Sequence, residues 1–214
     1  MLFFHAIILA LVQAVTEFWP VSSSGHLILF HNLFQIDSID SLTFDVALHV
    51  GTAVALVFYF WQDIKKYFKA FIGLFTRFNI AREEQKTVIN LIIATIPAGL
   101  AGFFLEPYIE TWLRNTTTVA IALIVGGILF FVVEKLSKQK LLYEGLSIPE
   151  SFLIGVAQAL ALIPGTSRSG ITIVTGMALN LKREEAARFS FLLSIPIVFG
   201  AGLKKLLDVD FAAL

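Results

Sequence analysis

Two apolar runs, Leu2 to Phe18 and Ile148 to Ile163, break into Pro-, Gly- and Ser-rich turns before either is long enough to cross a bilayer, and a second short apolar run follows each break. A helix rises about 1.5 Å per residue, so a hydrocarbon core of about 30 Å takes roughly 20 apolar residues. Non-helical backbone at membrane depth is tolerated only where protein or water satisfies its polar groups, so such breaks line cavities. The two segments are therefore read as re-entrant hairpins, over 2–35 and 148–181. Phe44 to Trp61, Val88 to Leu105, Val119 to Val133 and Phe189 to Leu203 are continuous apolar stretches, and the spacing predicts helices over 44–62, 87–106, 117–134 and 186–206. With 57% hydrophobic and 15% charged residues, the fold class expected is all-α: one polytopic transmembrane domain over 1–214. The apolar start has no basic residue before it, and Gln13 and Glu17 fall where a cleavage site would follow, so it is read as mature fold and not as a signal peptide.

The broken segments resemble each other. A shift of 145 positions takes Gln13 to Gln158, Ser22 to Ser167, Ser24 to Ser169 and Gly25 to Gly170, and in the next helix Phe44 to Phe189 and Leu48 to Leu193. A first repeat, 1–134, and an incomplete second, 148–214, follow from this. Three crossings between the hairpins would make the repeats inverted, an arrangement that places a site between them near the midplane. Partners for residues 88–133 would lie beyond Leu214, so two further helices are expected of a complete second repeat.

Charge fixes an orientation. Lys65, Lys66, Lys69, Arg77, Arg82 and Lys86 crowd what reads as a loop after the first crossing. Lys135, Lys138 and Lys140 follow the third crossing, and Lys182, Arg183 and Arg188 the second hairpin. All three clusters fall on one side of the inverted topology, which the positive-inside rule makes cytoplasmic. The acidic Asp37 to Asp40 loop and the Glu106 to Arg114 connection lie opposite; Lys204 and Lys205 are the exceptions. Sixteen basic residues balance sixteen acidic ones, which disfavours nucleic acid as a partner. The chain has no cysteine, which excludes disulfides and thiolate-bound metals.

The chemistry gathers at the breaks. Gln13 and Glu17 share a helical face, and a carboxylate at membrane depth is costly enough to be functional by default. Pro20 ends that helix, and Ser22, Ser23, Ser24 and Gly25 open the next with hydroxyls and unpaired amides, an anion site. His26, in its first turn, is a candidate nucleophile or general acid/base toward phosphate. The second break, Gly165, Thr166, Ser167, Ser169 and Gly170, repeats the pattern and adds Arg168, whose planar fork suits a phosphate. A structural ion pair between Arg168 and Glu17 is the bland alternative. Glu17 alone would repel phosphate, and a divalent cation bridging it to phosphate oxygens would remove that repulsion. His49, four residues after Asp45, reads as an interhelical hydrogen-bond partner, and the Thr116 to Thr118 run as a helix cap.

"TEFWPVSSSGH" with "PGTSRSG" and "FSFLLSIP", extended by "FDVALHVGT" and "IPAGLAGFFLE", closely resembles the bacterial undecaprenyl-diphosphate phosphatases of the bacitracin-resistance type over nearly the whole chain. The resemblance implies hydrolysis of the C55 isoprenyl diphosphate to monophosphate and phosphate, recycling the lipid carrier of peptidoglycan synthesis, with a divalent metal, usually Mg2+. It implies a multi-pass protein of the bacterial plasma membrane whose site opens to the periplasmic side. The partners it implies are undecaprenyl diphosphate, the lipid bilayer and, as protein, a second copy of the chain. The family's functional residues fall on Gln13, Glu17, Ser23, His26 and Arg168, with Glu17 the metal ligand. Gln13 stands where the family more often has glutamate, and the family is longer by about two helices. Two rivals remain: a lipid or small-anion transporter of inverted-repeat architecture, and the vanadate-pocket acid phosphatases. The second needs a basic motif upstream of "SGH", and no Lys or Arg precedes Lys65.

Overall fold

A computed structural model describes residues 2–34, 41–79 and 82–208. Among them the chain is helical: α1 (Leu2–Phe18), α2 (Ser23–Phe34), α3 (Ser41–Tyr59), α4 (Trp61–Thr76), α5 (Glu83–Trp112), α6 (Thr116–Leu136), α7 (Ile148–Ala159), α8 (Arg168–Ala178) and α9 (Arg183–Asp208). Short 3-10 turns at Tyr143–Gly145 and Leu160–Leu162 lead into and out of α7. Glu83–Leu105, Thr116–Leu136 and Arg183–Lys204 are each long and apolar enough to cross a membrane, and α3 with α4 would count as a further span but for an 85° bend between them. The protein is an all-α, multi-pass membrane protein. The acidic Asp37 to Asp40 stretch lies outside the described residues.

The bend at Phe60 corrects the reading of 65–86 as a loop. Ile64, Tyr67, Phe68, Phe71 and Phe75 recur at helical spacing among lysines, which makes α4 an amphipathic helix. It turns away because its lysines cannot follow α3 through apolar surroundings. Its position is fixed from outside: Arg188 at the start of α9 grips Asp63 through 2.6 and 2.7 Å contacts, and the Tyr67 and Tyr143 hydroxyls meet at 2.6 Å. Lys86 donates to the Glu144 carbonyl at 3.1 Å, and Arg183 pairs with Glu134. The basic clusters therefore gather at one end of the bundle.

The core follows the tightest contact, α5 on α7. Gly155 sits so close to α5 that a Cβ there would lie 2.5 Å from the Ala94 carbonyl oxygen. Asn90 crosses from α5 to donate to the Leu146 carbonyl at 2.9 Å. Ile154, Met177, Leu181, Phe189 and Leu193 fill the space between α7, α8 and α9. A smaller cluster of Leu9 and Leu27 joins α1 to α2. Contacts within lipid gain little from the hydrophobic effect, so small residues that allow close approach and polar groups that bond across helices carry much of the association.

Candidate active site

Each hairpin tip is built on a serine cap. Ser22 Oγ accepts from the Gly25 amide at 3.2 Å, and Ser167 Oγ accepts from the Gly170 amide at 3.0 Å. The second hydroxyl of each tip leans on the first, Ser24 on Ser22 at 3.4 Å and Ser169 on Ser167 at 3.2 Å. The 145-residue offset thus recurs as hydrogen bonding. Ser22 holds a left-handed φ of 65°, which brings the chain out of the Pro20 turn directly into α2.

Three of the predicted glycines sit where a side chain would be crowded. A Cβ on Gly25 would lie 3.2 Å from Gly165 Cα, so the tips touch through backbone. Gly165 has φ +93°, and a Cβ there would lie 2.6 Å from the Val119 carbonyl oxygen. Gly170 would meet its own cap serine at 2.9 Å. The amides of Gly25 and Gly170 donate to their cap serines.

Between the tips lies a cavity of about 230 Å3 whose lining includes Glu17, Ser23, His49, Gln158, Ser167 and Arg168. Ser22, Ser24, Thr166 and Ser169 also reach it. Glu17 is the hub. Ser23 Oγ donates to Glu17 Oε2 at 2.5 Å, Gln13 Nε2 donates to the same oxygen at 3.0 Å, and the Arg168 guanidinium takes Oε1. One buried carboxylate is thereby held from α1, α2 and α8. Arg168 and Glu17 are charged, and Ser23 and Gln13 supply the remaining donors that a buried carboxylate needs.

His26 is placed differently from expectation. Its Nδ1 lies 2.8 Å from the Ser22 carbonyl, one turn back, and the side chain is not among those lining the cavity. Helical side chains lean toward the N-terminus, which sends position 26 over the turn instead of into the gap. The histidine that does face the gap is His49. Its Nε2 lies 3.4 Å from Ser23 Oγ and 3.5 Å from Glu17 Oε2, while Nδ1 lies 2.7 Å from the Asp45 carbonyl. A carbonyl only accepts, so Nδ1 carries a proton, and Nε2 is the atom turned to Ser23 Oγ and Glu17 Oε2. The interhelical hydrogen-bond partner expected of His49 is thus Ser23 of α2, 26 positions away, which nothing in the sequence named; the Asp45 carboxylate pairs with Arg114 at 2.9 Å. Gln158, the repeat partner of Gln13, also lines the cavity, as does Thr16, and the motifs singled out neither as a site residue. The cap of α6 is Asn115, which accepts from the Thr118 amide at 2.9 Å, and not the threonine run.

Residues 6–213 match the family model described as bacitracin resistance protein BacA. A protein of Alteromonas mediterranea named undecaprenyl-diphosphatase is 45% identical over 98% of this chain and 78% of its own length. Proteins with the same name from Rubrobacter xylanophilus and Methanosphaera stadtmanae are 44% and 42% identical, over 96% and 95% of the chain and 76% and 77% of their lengths.

Proposed function

Because the chain belongs to the bacitracin resistance protein BacA family, we propose that it is an undecaprenyl-diphosphatase, cleaving the terminal phosphate from C55 isoprenyl diphosphate and so returning the carrier lipid for peptidoglycan synthesis. The observation that carries this reading is a single one: a hydroxyl and a guanidinium from opposite hairpins meet on the Glu17 carboxylate at the wall of the cavity between the tips.

Ser23 is the nucleophile in this reading. Its Oγ attacks the terminal phosphorus while its proton passes to Glu17 Oε2. The bond from the bridging oxygen to that phosphorus breaks, and its electrons leave with the prenyl monophosphate. Arg168 turns its fork from Glu17 to the phosphate oxygens, where charge spreads in the transition state. A water then attacks the phosphoserine, Glu17 returns its proton to Oγ, and both hydrogens of the water depart with the phosphate. His49 orients the Ser23 hydroxyl from the other side.

The donors that reach the cavity at Glu17 are hard oxygens, its own carboxylate and the Ser23 hydroxyl, while Gln13 turns its amide nitrogen to Glu17 and does not line the cavity. Among the described residues no group of three His, Cys, Asp or Glu could hold a metal. This set fits a magnesium ion that shares phosphate oxygens with the protein and does not fit one caged by protein alone. Glu17, with Ser23 beside it, would hold it, and the chemistry it would supply there is neutralisation of phosphate charge. We place the basic end of the bundle in the cytoplasm of the bacterial cell and the mouth of the cavity toward the periplasm, on the distribution of lysine and arginine.

Purified protein in detergent micelles, with no gradient present, should release phosphate from a long-chain prenyl diphosphate. Absence of release by folded protein at saturating magnesium would leave the transport reading in its place.

A further inference from the structure

At the basic end of the bundle, α4 and the start of α5 enclose a cleft of about 520 Å3. Four cations line it, Lys65, Lys66, Lys69 and Arg82, against one carboxylate, Glu84. Lys66 reaches that carboxylate at 3.6 Å, and Lys65 leans over the Trp61 ring. Lys69 and Arg82 have no ion-pair partner among the described residues. A concave space lined by one sign of charge concentrates ions of the other. The cleft is held open by structure as well as by charge. Gln85 of α5 is buried; it accepts from the Asn79 amide at 2.7 Å and donates to the Arg77 carbonyl at 3.1 Å. A Cβ on Gly73 would lie 2.8 Å from the Gln85 amide nitrogen, so α4 rests on this one side chain, which sets the width of the cleft.

A second face of α4 is apolar and bare. Trp61, Phe68, Ile72 and Phe75 stand at the i, i+7, i+11 and i+14 positions of one stripe, and all four are exposed. A helix bent 85° from the crossing α3 runs along the membrane surface. Lys65, Lys69 and Gly73, four apart, line the cleft round the same helix. One face of α4 thus meets hydrocarbon while the next carries charge at headgroup depth.

We propose that the cleft binds the headgroup of an anionic phospholipid, its phosphate among Lys65, Lys69 and Arg82 and its acyl chains along Trp61, Phe68, Ile72 and Phe75. The two parts of such a lipid match two adjoining faces of one helix. A soluble phosphate would use the first face alone, and the exposed apolar stripe is what favours the lipid. Arg188 ties α4 to α9 through Asp63, so a lipid seated on α4 stabilises the folded bundle, and its binding is read as a rise in unfolding temperature.

The full chain in neutral detergent at about 0.15 M salt is titrated with phosphatidylglycerol while thermal unfolding is followed. The unfolding temperature of wild type should rise, and phosphatidylcholine should leave it unchanged. Lys65→Gln with Lys69→Gln should move the half-maximal lipid concentration up roughly 30-fold, at about fivefold for each lysine facing anionic lipid. Lys138→Gln with Lys140→Gln removes the same charge outside the cleft and should move it less than about threefold. No rise in wild type, an equal rise with phosphatidylcholine, or equal shifts in the two double variants overturns the cleft. An equal rise with glycerol phosphate assigns it to a soluble phosphate and overturns the lipid. A last arm needs no variant: phosphatidylglycerol with a photoreactive headgroup is crosslinked to wild type in nanodiscs and the adducts are mapped. Labelling concentrated on 62–85 supports the cleft, and labelling spread as strongly over 135–140 and 182–188 overturns it.

Discussion

Ser23 and Arg168 occupy equivalent places in the two hairpins, 145 positions apart, and both bond the carboxylate of Glu17, Ser23 at Oε2 and Arg168 at Oε1. The first is the second residue of its tip's serine run and the second follows the cap of its own tip, so the same local fold delivers a hydroxyl from one side and a guanidinium from the other.

Arg168→Lys keeps the charge and replaces a planar fork with a compact ammonium. If Arg168 stabilises phosphate oxygens through aligned hydrogen bonds, the loss is about 2–4 kcal/mol in the transition state, or roughly 30- to 1,000-fold in rate. Folding survives, because lysine still neutralises Glu17. Phosphate release by equal amounts of folded wild type and variant at saturating magnesium decides this, and near-equal rates would assign Arg168 to architecture.

Ser23→Ala and His26→Ala should separate on a second axis. Removing the Ser23 hydroxyl takes away the attacking atom, and activity of the folded protein falls by about three orders of magnitude or more, while the lost bond to Glu17 lowers stability by only about 1–3 kcal/mol. Removing the His26 ring leaves the Ser22 carbonyl only its bond from the residue 26 amide and loosens the left-handed turn at Ser22. Activity and the unfolding temperature then fall together. A Ser23→Ala variant that keeps its activity would hand the nucleophilic role to another group.

Gly165→Ala tests the crossing of the tips. A left-handed φ costs a non-glycine residue about 1–2 kcal/mol, and here the new methyl also runs into the Val119 backbone. Stability should drop by about 2 kcal/mol or more, read as a lower unfolding temperature in detergent. Gly99→Ala, at a position where a Cβ meets nothing within 4 Å, is the control and should change little.

Gln13→Glu places a second carboxylate against Glu17. Two like charges about 3 Å apart cannot both ionise unless a cation lies between them. Magnesium should therefore raise the unfolding temperature of this variant by more than it raises that of wild type, and the magnesium concentration giving half-maximal activity should fall several-fold. Chelation of divalent ions should suppress phosphate release by both proteins. A magnesium response identical in the two would show that position 13 does not reach the cation.

The hairpins were legible because a chain in lipid leaves few ways to place Pro, Gly and Ser in an apolar run, and the caps at Ser22 and Ser167 follow from residue type alone. Glu17 and Arg168 were legible as a pair because neither charge is tolerable at that depth without the other. His49 was not, since its approach to Ser23 depends on how α3 packs against the first hairpin, and no local spacing encodes that. The helix α4 had its periodicity in plain view at Ile64, Tyr67, Phe68 and Phe71, but the density of lysines around it reads as loop when charge alone is weighed. The glycines were ambiguous for a related reason: a Gly-Ser tip suits an anion and also suits two backbones in contact, and the 3.2 Å that would separate a Cβ on Gly25 from Gly165 shows the second.

The offset that relates Ser23 to Arg168 takes Glu17 to Leu162. The frame is close to two-fold, and its one carboxylate is not. A diphosphate is itself nearly symmetric about its bridging oxygen, and a symmetric cradle would accept it either way round, with half of the encounters presenting the esterified phosphorus to the serine. A cradle with leucine on one side and glutamate on the other has a handedness. The attacking hydroxyl and its proton acceptor stand at one end only, so the phosphorus seated at that end is the one that reacts.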